Sequence, residues 1–472
     1  MKTRELRTVP AALVVACCTL AVCLGASTEA PAFINGTRAI GFSARSIGMG
    51  GMDIAVASDS TSINTNPAGM TQIESGVADV NMSILTFWNV DMFNPNNADG
   101  ITDKDRFAVA PTAGLVYRPG GLDSKWVFGF SLAAPDALAT DWTVTSNYFN
   151  AVPAPLNPDP DTNRLSRFNA YSEWIHLRLS PAVAYSLTKT LSIGARFGLD
   201  YMTLDLRAPL GRAYLDLGTA DAFGFSFGFG LLYRPSDRFR IGVSGETRAY
   251  MADLDTRKGD AFVKLDVSGL DLGLGPFPAG TILEFDDMKA SVSGFDAPPV
   301  IGVGLAFEPT DRILVGVDYR YLFWSSTNDT MLIRFRGGDV AAMPVDRLKI
   351  PFRYEDSSVV AVGGSYKLTD WMVLRAGYNY GEVVTAPNFA NYLAPVVFDH
   401  HLTLGSSIFL GKLELAAAWV HSFQNTVKNR AVSGVDKSVT AQLGGLPIDS
   451  ELNDMKLEAS WDVFALQFSY RF

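Results

Sequence analysis

The feature that most constrains this chain is the one-by-one alternation of large apolar residues with small or polar ones, repeated from residue 75 to the C-terminus. Successive side chains of a β-strand point to opposite faces, so each stretch predicts a strand with one apolar face. The stretches run for roughly 11–17 residues, whereas strands of soluble proteins usually have about 5–6. The clearest examples are residues 191–201, 238–248, 312–321 and the last stretch, in which Phe464, Leu466, Phe468, Tyr470 and Phe472 share one face.

The connections between these stretches alternate between short and long. The short ones are residues 119–124, 187–190, 235–238, 308–311, 368–370 and 410–412, and the long ones are residues 92–106, 136–171, 207–219, 251–290, 326–353, 384–398 and 426–456. Short turns on one side, longer loops on the other and an even strand count of about 14 are typical of outer-membrane barrels. Only a closed barrel satisfies every backbone group of such strands in lipid.

The predicted fold is therefore all-β: a transmembrane antiparallel β-barrel of about 14 strands over residues 75–472, with both termini on the short-turn side. A soluble sandwich also alternates, but the long strands and the aromatic residues at the ends of the outer face favour the barrel. The net charge of −10 argues against nucleic-acid binding.

The first residues predict a secretory signal peptide. Basic residues precede an apolar run over residues 9–24, and Ala30 and Ala32 form a small-x-small cleavage pattern before Phe33. The run is shorter than the about 20 residues of a spanning helix, so we expect a signal peptide of residues 1–32, cleaved near Ala32. All cysteines lie inside it: Cys17, Cys18 and Cys23. We therefore expect neither disulfides nor thiol chemistry in the mature chain.

A stretch of small residues separates the signal peptide from the strands. Gly48, Gly50 and Gly51 allow positive φ and close backbone approach. A phosphate-binding loop would need a preceding strand, a following helix and a lysine or acidic partner, which are not evident here. Pro67 keeps Asn66 out of the helical region, so Asn66, Pro67 and Ala68 predict a fixed turn. These features predict that residues 33–74 form a plug, or hatch, around which the strands wrap.

This stretch resembles the N-terminal hatch of the FadL/TodX-type outer-membrane transporters. The resemblance rests on the Gly-Met-Gly-Gly run from Gly48, on Ala57, Asp59 and Ser60, and on the Asn-Pro-Ala-Gly turn from Asn66. It implies passive uptake of long-chain fatty acids or aromatic hydrocarbons, hatch movement, and lateral exit through the barrel wall into the outer-membrane lipid below the lipopolysaccharide. It also implies that a terminal aromatic, here Phe472, is recognised by the barrel assembly machinery. We expect a monomer.

The resemblance also suggests a gate and an inner pocket. Residues 131–142 are similar to the third strand of the family and its exit, where a glycine usually precedes Leu-Ala-Thr. This chain has Ala137 there, and Pro135 supplies the break, because proline removes a ladder donor. The family places a phenylalanine of the mature N-terminus in the inner pocket, for which Phe33 is the candidate.

The loop of residues 251–290 is unusually apolar for an external loop. Its candidate capture residues are Leu270, Leu272, Leu274 and Phe277. Exposed apolar surface of this extent indicates a site for a hydrophobic ligand. A small folded cap whose apolar residues pack on each other is the compatible alternative.

Charged residues are also predicted on the inner face of the strands: Arg196, Asp200, Arg240, Glu246, Arg248, Asp318, Arg320 and Arg375. Opposite charges would lock the hatch to the wall, or an arginine would meet a ligand carboxylate. His400 and His401 are adjacent on a strand and point apart, so we predict no metal site. We predict no cofactor and no enzyme activity. A general diffusion porin, or an enzyme or adhesin that uses the long loops, are the alternative functions.

Overall fold

The computed structural model describes residues 35–56, 59–95, 97–103, 107–145, 167–210, 212–268, 275–278, 281–343, 345–430, 433–442 and 452–472. The predicted signal peptide of residues 1–32, the pocket candidate Phe33 and the capture candidates Leu270, Leu272 and Leu274 lie outside the described residues.

Strands dominate the described part of the chain and are numbered in chain order. They are β1 Gly76–Asn94, β2 Asn97–Thr102, β3 Phe107–Tyr117, β4 Trp126–Thr145, β5 Arg167–Ser186, β6 Leu191–Leu210, β7 Ala213–Ser236, β8 Phe239–Glu246, β9 Tyr250–Met251, β10 Leu254–Asp255, β11 Ala261–Asp266, β12 Ile282–Ser293, β13 Val300–Thr310, β14 Ile313–Leu322, β15 Thr330–Arg336, β16 Arg347–Pro351, β17 Ser357–Thr369, β18 Met372–Gly381, β19 His400–Leu410, β20 Leu413–Lys428 and β21 Lys456–Arg471. The helices are α1 Ala44–Ile47, α2 Ser62–Thr65 and α3 Gly434–Gln442, with 3-10 turns at Pro67–Gln72, Gly121–Asp123, Trp324–Ser326 and Gly338–Ala342.

A closed antiparallel barrel of 14 strands confirms the predicted fold. Around the ring the order is β1, β3, β4, β5, β6, β7, β8, β13, β14, β17, β18, β19, β20 and β21. The ring closes where β1 pairs with β21 from Val77↔Arg471 to Phe93↔Lys456. Closure leaves no open edge at the seam, as a barrel in lipid requires.

The alternation of the sequence corresponds to the two faces of the wall. On β21, Phe464 and Leu466 are exposed on the outside, while Ala465 and Gln467 are buried inside. The outward side chains meet hydrocarbon, where apolar groups are favoured, and the inward ones pack in the lumen. The described residues contain no helix that is both long and apolar enough to span a membrane.

The short turns lie where the sequence predicts them, but one predicted long loop is wrong. Residues 207–219 continue β6 and β7 as one hairpin, with Arg207 opposite Asp216 and Leu210 opposite Ala213. The predicted loop of residues 136–171 is also shorter, because β4 continues to Thr145 and β5 begins at Arg167. Along β6 the alternation continues but its phase reverses: Phe197 and Leu199 are exposed on the outer face, whereas Leu204 and Leu206 are buried on the inner face. Beyond the membrane the outer face no longer needs to be apolar, while the backbone pairing continues.

The other long connections carry structure of their own outside the ring. Strands β11 and β12 add to the β6–β7 hairpin through β7, and β15 and β16 continue this sheet from β12. Helix α3 packs against β16. The result is a folded cap above one side of the barrel mouth.

Candidate functional site

Residues 35–56 and 59–73, which we call the lumen segment, lie inside the barrel. Helix α1 is a single turn, capped by the Ser43 hydroxyl, which accepts a hydrogen bond from the Ser46 amide. The segment's apolar side chains are almost fully buried: Ile47, Met52, Ile54, Ile63, Ala68 and Met70. The lumen is therefore filled by protein at the level of this segment.

The glycines of the run at residue 48 pack directly on the wall. The Cα of Gly48 faces Gly405 of β19, and a Cβ at Gly50 would lie 2.8 Å from the Tyr378 carbonyl oxygen of β18. Gly50 and Gly51 have φ values of 73° and 83°, which side chains of L residues rarely tolerate. The Gly50 amide donates to the Thr403 hydroxyl over 2.9 Å. The close backbone approach predicted from the sequence is confirmed.

The turn at Asn66 is formed by its own neighbouring residues, and it packs against β6 and β7 of the wall. The Asn66 side chain accepts from the Ala68 amide and donates to the carbonyl of Leu231 on β7, at 3.2 and 3.1 Å. The turn fits against Gly194 and Gly230, where a Cβ would clash with it. The prediction that this turn faces Pro135 and Ala137 is wrong, because these two glycines leave room for it on β6 and β7 instead.

The wall is incomplete between β3 and β4. Their ladder runs from Tyr117↔Phe128 to Thr112↔Ala133 and stops there. Beyond it β4 has a register shift against β5 between Ala133 and Asp136. The lumen segment pairs with β4 at this point: Ala39 N donates to Pro135 O and Ala137 N donates to Thr37 O, both over 3.1 Å. Both gate candidates therefore lie at the interrupted ladder.

Charged side chains reinforce this contact. Arg38 lies opposite Asp136 and donates to its carboxylate over 3.2 Å and to Glu246 over 2.8 Å. His176 lies between two carboxylates, 3.0 Å from Asp136 and 2.7 Å from Asp200. These side chains are buried, and Asp136, His176 and Asp200 are each 0% exposed.

Two further arginines complete what we call the Arg38 network. Arg178 donates to Asp200 over 2.7 Å and to Glu246 over 2.8 Å. Arg196 lies 2.7 Å from the Glu246 carboxylate. Three arginines thus face three carboxylates around the imidazole of His176. Buried charges of this kind are tolerated because each has an opposite partner.

Two more ionic contacts attach the lumen segment elsewhere. Arg45 donates to Glu414 of β20 over 2.7 Å. Asp53 meets Arg320 of β14 at 2.7 Å, while Asp318 accepts from the Asp53 amide, also over 2.7 Å. Of the wall charges predicted to point inward, Glu246, Asp318 and Arg320 therefore hold the segment. This agrees with the interpretation that opposite charges attach the segment to the wall.

The predicted charges Arg240 and Arg248 take no part in these contacts. Arg240 pairs with Glu308, and Arg248 with Asp296. His400 and His401 were predicted to bind no metal. The His401 side chain is buried, and its Nδ1 lies 2.8 Å from the Ser422 hydroxyl. Among the described residues, no group of three or more His, Cys, Asp or Glu side chains is arranged to hold a metal ion.

The external cap contains a fully apolar cavity of about 30 Å³. It lies between the β6–β7 hairpin, β11, β12, β15, β16 and α3, and its lining includes Leu210, Leu215, Leu265, Phe285, Phe335 and Val439. Phe277 is the one capture candidate that the structure describes, and it packs half-buried against the main apolar cluster. The sequence did not single out the lining residues, which come from five separate parts of the chain.

A further part of the mouth is covered by residues 382–399, between β18 and β19. The backbone carbonyl of Tyr392 accepts a hydrogen bond from the Trp142 indole over 2.9 Å. The Tyr392 hydroxyl donates to the backbone carbonyl of Pro209 on β6 over 3.2 Å. Phe398 stacks on Trp461 of β21 with ring centroids 4.2 Å apart. This loop therefore extends over the mouth from β18 and β19 to the nearby β21 and to the more distant β4 and β6.

Comparison with known proteins agrees with this architecture. A family model described as outer membrane protein transport protein (OMPP1/FadL/TodX) matches residues 22–472. The chain is 25% identical over 241 residues to the 47 kDa outer membrane protein of Pasteurella multocida (strain Pm70), which covers 48% of this chain and 50% of that protein. The chain therefore spans about half the length of this curated relative in the alignment.

Solved structures share the fold at low identity. The P. putida toluene transporter TodX has a TM-score of 0.70 and 19% identity, with 92% of this chain and 99% of that chain covered. A Pseudomonas aeruginosa FadL homologue has a TM-score of 0.66 and 17% identity, with the same shares covered. Both likenesses therefore show a shared fold over most of each chain.

Proposed function

Since the chain belongs to the OMPP1/FadL/TodX family of outer membrane transport proteins, we propose that it takes up small hydrophobic molecules passively and releases them sideways through the barrel wall. The protein resides in the outer membrane. A polar lipopolysaccharide surface slows apolar solutes, and a water-filled pore solvates them poorly. A plugged barrel with successive apolar sites avoids both barriers without an energy source. Toluene, the substrate for which TodX is named, and long-chain fatty acids are the candidate classes.

Capture takes place at the external cap. The cavity lined by Leu210, Leu215 and Phe285 offers only apolar surface, which favours an apolar solute over water. Phe277 lies at the margin of the same apolar cluster. Leu270, Leu272 and Leu274 lie outside the described residues and stay capture candidates from the sequence alone.

Exit takes place at the interrupted ladder, and this observation carries the proposal. Above Thr112↔Ala133 the strands β3 and β4 are not paired with each other. The edge of β4 bonds instead to Thr37 and Ala39 of the lumen segment. Movement of that segment would open the wall without breaking any strand–strand pairing, so the barrel can stay intact while the gate opens.

The Arg38 network sets the closed state. Arg38 is the member that belongs to the lumen segment, and its partners Asp136 and Glu246 belong to the wall. When the segment moves, Glu246 still pairs with Arg178 and Asp136 still contacts His176. The wall carboxylates therefore keep partners within the wall. In this proposal residues 33–74 act as the hatch, and Phe33, which lies outside the described residues, stays the sequence-based candidate for the inner pocket.

A reversible cross-link tests the exit. Arg38 and Asp136 form a non-hydrogen-bonded antiparallel pair, flanked by the bonds of Ala39 and Ala137. Such pairs have Cα atoms about 4.5 Å apart, within the range of a disulfide. The double variant Arg38→Cys, Asp136→Cys should lose uptake of labelled toluene by intact cells when oxidised and regain it when reduced.

The single variants Arg38→Cys and Asp136→Cys are the controls, because they alter the network but cannot cross-link. Their uptake should not depend on the redox state. Equal uptake by the oxidised and reduced double variant, with the disulfide verified by mass spectrometry, would rule out this exit. A large steady current through the wild-type protein in planar bilayers would favour the alternative of a general diffusion porin.

A further inference from the structure

His176 lies in a row of buried ionisable side chains that begins on the lumen segment and continues across the wall. Arg38 is opposite Asp136, and Asp136 is opposite His176 on β5. Asp200 follows on β6, where it is opposite Arg178. The ring of His176 therefore stands between two carboxylates, each of which has an arginine on its other side.

Both ring nitrogens of His176 face a carboxylate oxygen. Nδ1 lies 3.0 Å from Asp136 Oδ2, and Nε2 lies 2.7 Å from Asp200 Oδ1. An ionised carboxylate only accepts hydrogen bonds, and a neutral imidazole has a single N–H donor. A neutral ring would therefore place a bare nitrogen lone pair against a carboxylate oxygen. Satisfying both contacts takes one proton more than a neutral ring and two carboxylates carry.

The extra proton belongs on the ring. Imidazole is a stronger base than a carboxylate, and both contacting oxygens already accept a hydrogen bond from an arginine. Asp136 Oδ2 accepts from Arg38, and Asp200 Oδ1 accepts from Arg178. A proton on either oxygen would weaken these ion pairs, whereas an imidazolium donates a charge-assisted hydrogen bond to each carboxylate.

The surroundings of the ring can hold this charge. Three arginines balance three carboxylates in the Arg38 network, so an imidazolium leaves one positive charge in excess. The other charged groups near the ring belong to β6, to β8 and to the connection between β8 and β13: Arg196, Glu246, Asp296 and its partner Arg248. A cavity of about 50 Å³ with a partly polar lining that includes Arg38, Glu246 and Asn35 adjoins the network. It is large enough for water, which offsets part of the cost of the excess charge.

We propose that His176 is an imidazolium and a positioning residue of the gate, which holds the Asp136 carboxylate where Arg38 of the lumen segment binds it. This inference rests on the proposed function and adds one proton to its closed state. Arg38 and His176 share a single oxygen, Asp136 Oδ2, and Asp136 Oδ1 has no hydrogen-bond partner in the described part of the chain. Without the proton Asp200 keeps the Nε of Arg178, so the longer contact to Asp136 is the one that is lost.

Nitrogen NMR measures the charge of the ring directly. The barrel is produced with isotopically labelled histidine, reconstituted in lipid and observed by solid-state NMR at neutral pH. The signal of His176 is identified by its absence in His176→Gln. An imidazolium has two protonated nitrogens, whereas a neutral ring has one protonated and one bare nitrogen. We expect two protonated nitrogens, and a bare nitrogen at neutral pH would refute the proposal.

A double-mutant cycle tests the positioning role. Maleimide labelling of Thr37→Cys reports opening of the lumen segment, and Lys258→Cys, at a side chain that is 77% exposed, gives the reference rate. His176→Gln should accelerate the relative labelling about three- to tenfold, the range of one hydrogen bond. In the Asp136→Asn background the same change should add less than about twofold, because the ring acts through Asp136. Equal acceleration in both backgrounds would mean that His176 only supports the fold.

His421→Gln is the matched control for this cycle. His421 Nδ1 lies 3.0 Å from Asp462, the same distance as in the contact of His176 with Asp136, but its side chain is 36% exposed and does not contact the lumen segment. The relative labelling rate in this variant should stay within about twofold of the parent, as expected for an exposed pair. Acceleration as large as in His176→Gln would show that losing any histidine loosens the segment.

The pH profile separates the charge of the ring from its shape. The NMR signal and the relative labelling of Thr37→Cys are followed from about pH 6 to about pH 9. Labelling should rise over the interval in which the ring loses its proton and stay constant wherever the imidazolium persists. In His176→Gln it should stay constant throughout. Profiles of signal and labelling that do not coincide would contradict the proposal.

Heat-modifiable mobility on gels shows whether each variant assembles. If His176→Gln does not, the signals of His400, His401 and His421 are assigned from their own variants, and the remaining signal belongs to His176. The coincidence of the two profiles in the parent then decides the question.

Failure of the proposed function gives a different result. Labelling of Thr37→Cys reports movement of the lumen segment and not uptake. If the exit lies elsewhere, the oxidised double variant Arg38→Cys, Asp136→Cys keeps its uptake of toluene, while the NMR signal and the double-mutant cycle of His176 stay as expected here.

Discussion

Arg38 and Asp136 face each other across the bridge that joins the lumen segment to β4, with guanidinium and carboxylate 3.2 Å apart. Backbone bonds at Ala39 and Ala137 flank the pair on both sides. The side chains are 10% and 0% exposed, so water contributes little to their solvation. One residue pair therefore couples the backbone closure of the proposed gate to the buried charges of the wall.

Asp136→Asn should loosen this closure. It leaves Arg38 and His176 with one carboxylate partner fewer, and breaking a buried ion pair typically costs about 3–5 kcal/mol. Local opening should become more frequent, so maleimide labelling of a cysteine at Thr37 should accelerate at least tenfold.

Asp346→Asn is the matched control for that experiment. Asp346 pairs with Arg347 at 3.1 Å, but both side chains are 61% exposed. Exposed pairs contribute about 0–1 kcal/mol, so the labelling rate should stay within a fewfold of the parent. Equal rates in the two variants would contradict a closing role for Asp136.

Gly230→Ala should displace the turn at Asn66. A Cβ at Gly230 would lie 1.9 Å from the Asn66 side-chain oxygen, whereas a Cβ at Gly245 would meet nothing within 4 Å. Overpacking of this kind typically costs about 1–3 kcal/mol. Proteolysis of the lumen segment in Gly230→Ala should be faster than in the control Gly245→Ala. No difference between the two alanine variants would mean that the turn does not depend on this contact.

The barrel could be predicted from sequence because each spanning strand carries its own signal. On β21 the outer Phe464 and Leu466 face lipid whatever the rest of the chain does. The hairpin of β6 and β7 escaped prediction because Arg207 and Asp216 pair beyond the membrane, where both faces meet water or protein. Alternation reports the surroundings of a strand, and its phase reverses where those surroundings change: Phe197 and Leu199 are exposed, whereas Leu204 and Leu206 are buried.

The site could be predicted only in its local parts. Asn66 and Pro67 determine their own turn, but its place on the wall depends on Gly194 and Gly230, two of 42 glycines in the chain. The pairing of Arg38 with a residue 98 positions away depends on the lumen segment adding to β4. The one sequence feature that pointed to Asp136 was its position directly after Pro135, because proline removes a ladder donor.

The orientation of the barrel in the membrane can be tested by labelling introduced cysteines. Lys258 lies in the long connection between β8 and β13 with its side chain 77% exposed, and Asp311 lies in the short β13–β14 turn at 95%. Long loops of such barrels face the outside and short turns the periplasm. A cysteine at position 258 should react with an impermeant maleimide on intact cells, and one at 311 only after lysis. Similar labelling at both positions would reject this orientation.

Deletion of Phe472 should reduce barrel assembly. Its ring lies 6.4 Å from Tyr117 and 6.3 Å from Tyr470, and its amide donates to Gly76 next to the closing seam. We propose that the assembly machinery recognises this terminal aromatic. The amount of heat-modifiable protein should fall severalfold, while Phe472→Tyr should assemble normally. Full assembly of the deletion variant would show that the residue is dispensable.

Removal of residues 34–65 tests the hatch. The strands hold each other through their own ladder, and the attachments of the deleted part include the ion pairs of Arg38, Arg45 and Asp53. The wall charges left behind can be solvated by water that enters the lumen. We therefore expect an assembled barrel that conducts ions in planar bilayers and leaks polar solutes.

Pro67→Ala is the control for the deletion, because it changes the turn and keeps the plug. If only the entropy of the unfolded chain is affected, the cost is about 1 kcal/mol or less, so the bilayer current should stay near that of the parent. The deletion removes the protein that fills the lumen, whereas the substitution removes one conformational restraint. A deletion variant that assembles, stays closed to ions and still takes up a labelled alkylbenzene normally would show that the lumen segment is not a hatch.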